Sequence, residues 1–344
     1  MIGISATGEM PSSGASIVVE RGNTLYIANA KLYSSVTNQA NAITVLGRAS
    51  LVLGQDQSAG VTGTVYVGDP AIQSYSGILC GYDTASGCTI SDAPLQGMSS
   101  IVIQNLKGYS LYADAEDLGG EPATISLTSA PILGEPPSSI GFGKCPAKSG
   151  GGIELYGNVN MTFENGTMQC LQGFGLGMDG FADAGPSVTV SNTTIQNTDF
   201  GVIASAGNLT ISSSIIRFNY VGVWQRDIGE IAPPTIDLSG GALGGSNTVV
   251  CTSSSEAPAD EQLAFPAIAV LNMTSATLNA SNVSWDTPGP DQFICGPTGT
   301  MCACEIAVCE NPGGVDGMDA VNMSTGAITT TGNKLSSTIC TPPP

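Results

Sequence analysis

Short bursts of alternating apolar and polar residues run the length of the chain, and they recur. In residues 188–205, VTVSNTTIQNTDFGVIAS, apolar side chains stand at Val188, Val190, Ile195 and Val202. A slide of 21 residues gives 209–226, LTISSSIIRFNYVGVWQR, where Leu209, Ile211, Ile216 and Val223 fall on those places and Gly222 falls on Gly201. Nearly every polar residue between them changes. Alternation at period two predicts short strands with one buried face. Looser versions follow the same plan: Ile101-x-Ile103 leading to Leu111, Ile125-x-Leu127 leading to Ile132-Leu133, and Met161-x-Phe163 with Met168 leading to Phe174-Gly175-Leu176. Leu25-x-Ile27 and Val65-x-Val67 extend it upstream, and Ile236-x-Leu238, Ile268-x-Val270 and Leu278 downstream. A period of about 20–27 residues with two or three strands each predicts coils that stack, because one coil cannot bury its own apolar face and neighbouring coils can. Stacking fixes the inward positions and leaves the outward ones free.

The motifs VTVSNTTIQNTDFGV and LTISSSIIRFNYVGV resemble the coils of the right-handed parallel β-helix, the fold of the pectin-lyase-like superfamily, of tailspikes and of many bacterial secreted and surface proteins. The expected class is therefore all-β, a solenoid with projecting loops and capped ends. The close match spans residues 153–285 and the looser one most of the chain. Residues 1–40 are expected to form an N-terminal cap or the first coils, 41–285 the β-helix, and 286–344 a disulfide-rich loop with a C-terminal coil or cap. Residues 69–98, 134–152, 226–234, 252–266 and 286–320 read as loops.

Composition narrows the function. Charged residues make up only 11% of the chain, with 9 Lys and Arg against 28 Asp and Glu and a formal charge of −19. Such a surface repels phosphate backbones, which excludes a nucleic-acid role. There is no histidine, so Ser-His-Asp and Cys-His catalysis are excluded, as are imidazole metal sites. No run of 18 apolar residues marks a membrane span. The N-terminal stretch lacks the basic and apolar regions of a signal peptide, so for an exported protein the expectation is that one has been removed.

The ten cysteines, at 80, 88, 145, 170, 251, 295, 302, 304, 309 and 340, are even in number and scattered, which predicts disulfides and an oxidising compartment. The local pairs Cys80–Cys88 and Cys145–Cys170 are the first expectation. Cys295, Cys302, Cys304 and Cys309 lack paired zinc spacing and read as a stapled loop. No cofactor is expected. The weak calcium candidates are two acidic stretches, Asp114, Glu116 and Asp117 in one and Asp316 and Asp319 in the other, both read as solvated loops. Eight N-x-S/T matches, at Asn160, Asn165, Asn192, Asn208, Asn272, Asn279, Asn282 and Asn322, read as corner residues of the coils.

The leading expectation is a non-catalytic extracellular or cell-surface β-helix with a structural, adhesive or glycan-binding role and a polysaccharide or cell-surface partner. Trp224, Tyr220 and Arg226 are its candidate ligand contacts, because aromatic rings stack on sugars. Two alternatives stand beside it. One is a polysaccharide lyase or glycoside hydrolase using Arg217, Arg226, Asp227 and Asp199, although no set of carboxylates on successive coils is evident. The other is a self-associating filament or spike subunit. Trp224 also reads as a cover for the side of the solenoid, and Asp179 and Asp183 as turn residues.

Overall fold

The computed structural model describes residues 3–4, 17–34, 39–56, 60–81, 87–95, 97–115, 120–135, 145, 148–180, 184–228, 232–252, 267–285, 292–294, 318–322, 327–332 and 334–336. Their strands form three long parallel sheets, here named A, B and C, of eleven, ten and eleven strands. Each coil gives one strand to each sheet. Ser187–Ser191 lies in A, Thr194–Gln196 in B and Phe200–Ala204 in C, and the next coil supplies Asn208–Ser212, Ile215–Arg217 and Val221–Gln225. This is a parallel β-helix, as the repeat implied.

The 21-residue repeat is the pairing register. Val188 pairs with Leu209, Val190 with Ile211, Ile195 with Ile216 and Val202 with Val223. The inward columns stack apolar on apolar. On sheet A, Leu51, Ile90, Ile125, Met161, Val188, Leu209, Ile236 and Leu278 are all essentially buried and belong to one core cluster running the length of the solenoid. Each such side chain contributes roughly 1.5–3 kcal/mol of transfer free energy.

Corners need residues that accept a left-handed backbone. Asn165, Asn192 and Asn282 have φ of 57°, 49° and 60°. Three of the N-x-S/T asparagines are thus corner residues, and the Asn192 amide donates to Asn165 Oδ1 at 3.4 Å. Between sheets B and C, the corner column runs Cys170, Asn197, Phe218 and Cys251, all with positive φ. Two buried corner asparagines tie neighbouring coils together. Asn247, with no exposed surface, donates to the carbonyls of Ile211 and Leu238 and accepts from Ser214 N–H at 2.9 Å. Asn219, equally buried, accepts from Thr198 N–H and Oγ1–H and donates to the Ile195 carbonyl.

Disulfides join Cys80 to Cys88 and Cys145 to Cys170, as expected. Cys251 is also disulfide-bonded. Cys295, Cys302, Cys304, Cys309 and Cys340 lie outside the described residues. The reading of 69–98 as a loop is corrected: Ser76–Cys80 and Thr89–Asp92 are strands of sheets C and A, bracketing the Cys80–Cys88 bridge. The apolar alternation there is too brief to announce two strands. The described strands Ile17–Val19 and Thr24–Ile27 join the same sheets as later coils, and so do Met318–Asn322 and Ile328–Thr329.

Candidate functional site

In a parallel β-helix the residues between the inward columns face out, and the register decides which of them become neighbours. On sheet C one outward column runs Leu79, Tyr112, Glu154, Gly177, Ile203, Trp224 and Leu271. Two residues further along the same strands, Asp114, Tyr156 and Asp179 form a second column. Backbone bonds from Ser205 N–H to the Met178 carbonyl and from Arg226 N–H to the Ala204 carbonyl extend that column through Ser205 to Arg226.

Three carboxylates, Asp114, Glu154 and Asp179, therefore stand on successive strands of one face. The expectation that no such set exists is overturned. An insertion separates the strands Leu111–Ala115 and Ile153–Gly157, so no fixed period connects Asp114 with Glu154.

Aromatic rings border these carboxylates. Tyr109 lies 5.9 Å from both Tyr112 and Phe174, centroid to centroid, with planes inclined by 25° and 22°. Nearly parallel rings at that distance are offset, so the three make a continuous strip. Glycines make room for it. A Cβ at Gly151 would come within 2.7 Å of the Tyr109 ring, and one at Gly177 within 2.8 Å of the Phe174 ring. Tyr109 is 37% exposed, and Tyr112, Phe174, Glu154, Tyr156 and Asp179 are half-buried.

The Tyr109 hydroxyl hydrogen-bonds Glu154. Burial raises the Glu154 carboxyl above its ordinary value; the Tyr109 hydrogen bond opposes that shift and the nearby Asp179 charge adds to it. Tyr109 itself is pushed up to about 12, first by burial and then by Glu154.

The candidates named from sequence are placed apart. Arg217 lies on sheet B, where its Nε donates to Gln196 Oε1 at 2.8 Å, its guanidinium sits 5.7 Å from the Phe218 ring centroid, and burial lowers its pKa. Gln196 donates in turn to Gln169, so Arg217 ends a polar ladder on a different face from Arg226. Asp199 is 3% exposed, forms an ion pair with Lys148 and accepts from Gly173 N–H at 2.7 Å. It fastens the segment around Lys148 to the corner rather than meeting either arginine. Tyr220 is 3% exposed and meets Phe200 edge-on, which leaves no ring face for a ligand. Burial raises its pKa. The Trp224 ring lies 5.5 Å from Phe200 in a small cluster outside the main core, with the Arg226 guanidinium 5.8 Å from its centroid. Asp227 is exposed. Of this set, Trp224 and Arg226 belong to the face that carries Glu154 and Asp179.

Of the calcium candidates, Asp114 is on sheet C, the side chain of Asp319 is not described, and Glu116, Asp117 and Asp316 lie outside the described residues, as does Asp183. Among the described residues no group of three or more His, Cys, Asp or Glu is placed to hold a metal ion. Among them, no helix is long and apolar enough to cross a membrane.

No family model matches the chain, and no curated protein sequence matches it. Among solved structures, the crystal structure of the Dettilon tailspike protein is similar at 10% identity and a TM-score of 0.35, over 92% of this chain and 61% of that one. The chain thus spans about three-fifths of that protein's length.

Proposed function

We propose that this is an extracellular or cell-surface β-helix that binds a glycan chain along the outer face of sheet C. The observation that carries the reading is the strip Tyr112–Tyr109–Phe174, seated on glycines and flanked by Glu154 and Asp179. Sugar rings present apolar C–H faces and a rim of hydroxyls. Aromatic surfaces take the first, and carboxylates accept from the second. The rise of a parallel sheet, about 4.8 Å per strand, spreads these contacts along an extended ligand. The two described disulfides and Cys251 support an oxidising compartment.

Calorimetric titration with cello-, xylo-, manno- and laminarihexaose tests the reading. We expect binding to at least one, and Tyr109→Ala to weaken it tenfold or more while the melting temperature stays within a few degrees. Absence of heat with every hexaose, or undiminished affinity in Tyr109→Ala, would refute it.

A further inference from the structure

We infer that the glycan taken by sheet C is cationic: a chain of pyranoses bearing free amino groups, with its ammonium ions held by Asp114, Glu154 and Asp179 beside the Tyr112–Tyr109–Phe174 strip. The inference rests on the glycan-binding reading and names the class of sugar.

The register sets the spacing of the charges. Glu154 pairs with Tyr112 on one side and Gly177 on the other, and Asp114 and Asp179 each lie two residues beyond those partners. One strand spacing of about 4.8 Å and two residues of rise at about 3.3 Å each put both aspartates on backbone diagonals of about 8 Å from Glu154. Asp114 and Asp179 stand two strands apart on one column, about 9.6 Å. A metal ion needs its ligands to converge, and among the described residues no group of three or more His, Cys, Asp or Glu is placed to hold one. Separate carboxylates along a face suit a ligand whose positive charges are also separate, one to a sugar.

The aromatic strip is an independent mark of the same ligand. Tyr109 is 37% exposed, the rings of Tyr112 and Phe174 each lie 5.9 Å from it, and its hydroxyl bonds Glu154. A pyranose stacked on the Tyr109 ring therefore has Glu154 at its rim, where a ring substituent meets the carboxylate. Aromatic faces also attract ammonium ions, so strip and carboxylates favour the same charge. The electrostatics prefer an amine to a hydroxyl at that place. Asp179 opposes the ionisation of Glu154, and among the described residues no cation acts on that carboxyl. Arg226, on the same face, stands two strands beyond Asp179 with its guanidinium 5.8 Å from the Trp224 ring centroid. A hydroxyl donates to these carboxylates without relieving their repulsion; an ammonium does both. The charge of −19 adds a long-range attraction for a cationic chain.

A lysine-rich peptide offers the same charges on long flexible stems, but its backbone has nothing for three nearly parallel rings to stack on. With planes inclined by 25° and 22°, those rings present one broad apolar surface, which fits the flat C–H faces of linked pyranoses. The observations favour the sugar.

Calorimetric titration of the full chain would compare the β-1,4-linked glucosamine hexamer, its fully N-acetylated form, cellohexaose and hexalysine at about pH 6, where the free amines are protonated. Cellohexaose differs from the glucosamine hexamer only in bearing hydroxyls where that chain bears amines. We expect the glucosamine hexamer to bind about tenfold or more tighter than either neutral chain in about 20 mM salt, and the margin to shrink in about 200 mM salt as the charges are screened. Glu154→Gln keeps an acceptor for the Tyr109 hydroxyl, and Asp179→Asn keeps the shape of its side chain. Each should weaken the glucosamine hexamer about tenfold and leave the neutral chains within about twofold. Tyr109→Ala should weaken all three sugars. Equal affinity for the glucosamine hexamer and cellohexaose, or unchanged affinity in both charge variants, would overturn this inference and leave the glycan-binding reading standing. So would hexalysine binding as tightly as the glucosamine hexamer, which would mark the face as a general polycation surface. No heat with any sugar, the four neutral hexaoses included, would overturn both.

Discussion

The coils of residues 187–225 and the strands between Tyr109 and Asp179 share one architecture and use their polar residues differently. In the first region two successive coils repeat at 21 residues, and several buried polar groups tie the fold: Asn219, with Asn247 on the coil that follows, ties corners together, and Asp199 anchors Lys148. In the second the coils are uneven, glycines replace outward side chains, and aromatic rings and carboxylates collect on the outer surface. Where the repeat is regular, stacking dictates nearly everything. Where it is interrupted, the outer face is free to acquire a site.

Removing a corner tie from the regular region gives the largest expected effect. Asn247→Ala strips three hydrogen bonds and leaves the Ser214 N–H and the Ile211 and Leu238 carbonyls without that partner in a dry interior. It should cost about 3 kcal/mol of stability, read as a lower denaturation midpoint, with glycan affinity of the folded protein unchanged. A loss below about 0.5 kcal/mol would mean that water replaces the amide, and the corner is then less dry than its burial implies.

Lys148→Ala tests the junction between the regions. Asp199 keeps its bond from Gly173 N–H but loses its buried ion pair. Breaking such a pair costs about 3 kcal/mol when both charges are buried, and about 2 here because the lysine side chain is 25% exposed. Lys148→Ala/Asp199→Asn should recover part of the loss in thermal melts, because the stranded charge is gone. No recovery would show that packing, not charge, holds this segment.

Gly151→Val acts on the second region alone. The new side chain needs the volume of the Tyr109 ring, so the ring must leave the strip. Stability should fall by about 1 kcal/mol, while hexaose affinity falls as far as in Tyr109→Ala. Full affinity in Gly151→Val would detach the strip from binding.

The same contrast explains what could be read from the chain. Val188 and Leu209 are 21 residues apart and become direct neighbours, so the inward columns, and through them the fold, are written in the spacing. The bridges Cys80–Cys88 and Cys145–Cys170 were legible because each closes a short loop. The face of sheet C was not. Tyr109 meets Phe174 only because Gly151 intervenes without a side chain, and Glu154 meets Asp179 only through a diagonal of the register. A faint signal exists in the segments Ser110-Leu111-Tyr112-Ala113-Asp114, Gly152-Ile153-Glu154-Leu155-Tyr156 and Gly175-Leu176-Gly177-Met178-Asp179. Aligned on their inward Leu111, Ile153 and Leu176, they superpose the acidic and aromatic positions. Arg217 and Arg226 are close in sequence, but Arg217 lies on sheet B and Arg226 directly follows the sheet C strand Val221–Gln225.

The smallest effect is a pH dependence that only the second region should show. Glu154 is held above its ordinary value of 4.5, chiefly by burial. Between that value and its raised native one, the folded protein binds more protons than the unfolded chain, so stability falls as pH rises through the window. Tyr109, pushed up to about 12, stays protonated throughout, so its hydroxyl remains a donor to Glu154 at both ends of the window. Asp179, the charge facing Glu154 from the next strand, opposes its ionisation and deepens the fall. Glu154→Gln carries no titrating proton. The melting temperature of the wild type minus that of Glu154→Gln should therefore decline from pH 4 to pH 7, and substitution of Asp179 by Asn should shallow that decline. Asn247→Ala should shift melting equally at every pH in this range, because the three hydrogen-bond partners of the amide it removes are backbone groups. A wild-type curve parallel to that of Glu154→Gln would place the native Glu154 carboxyl in the ordinary range.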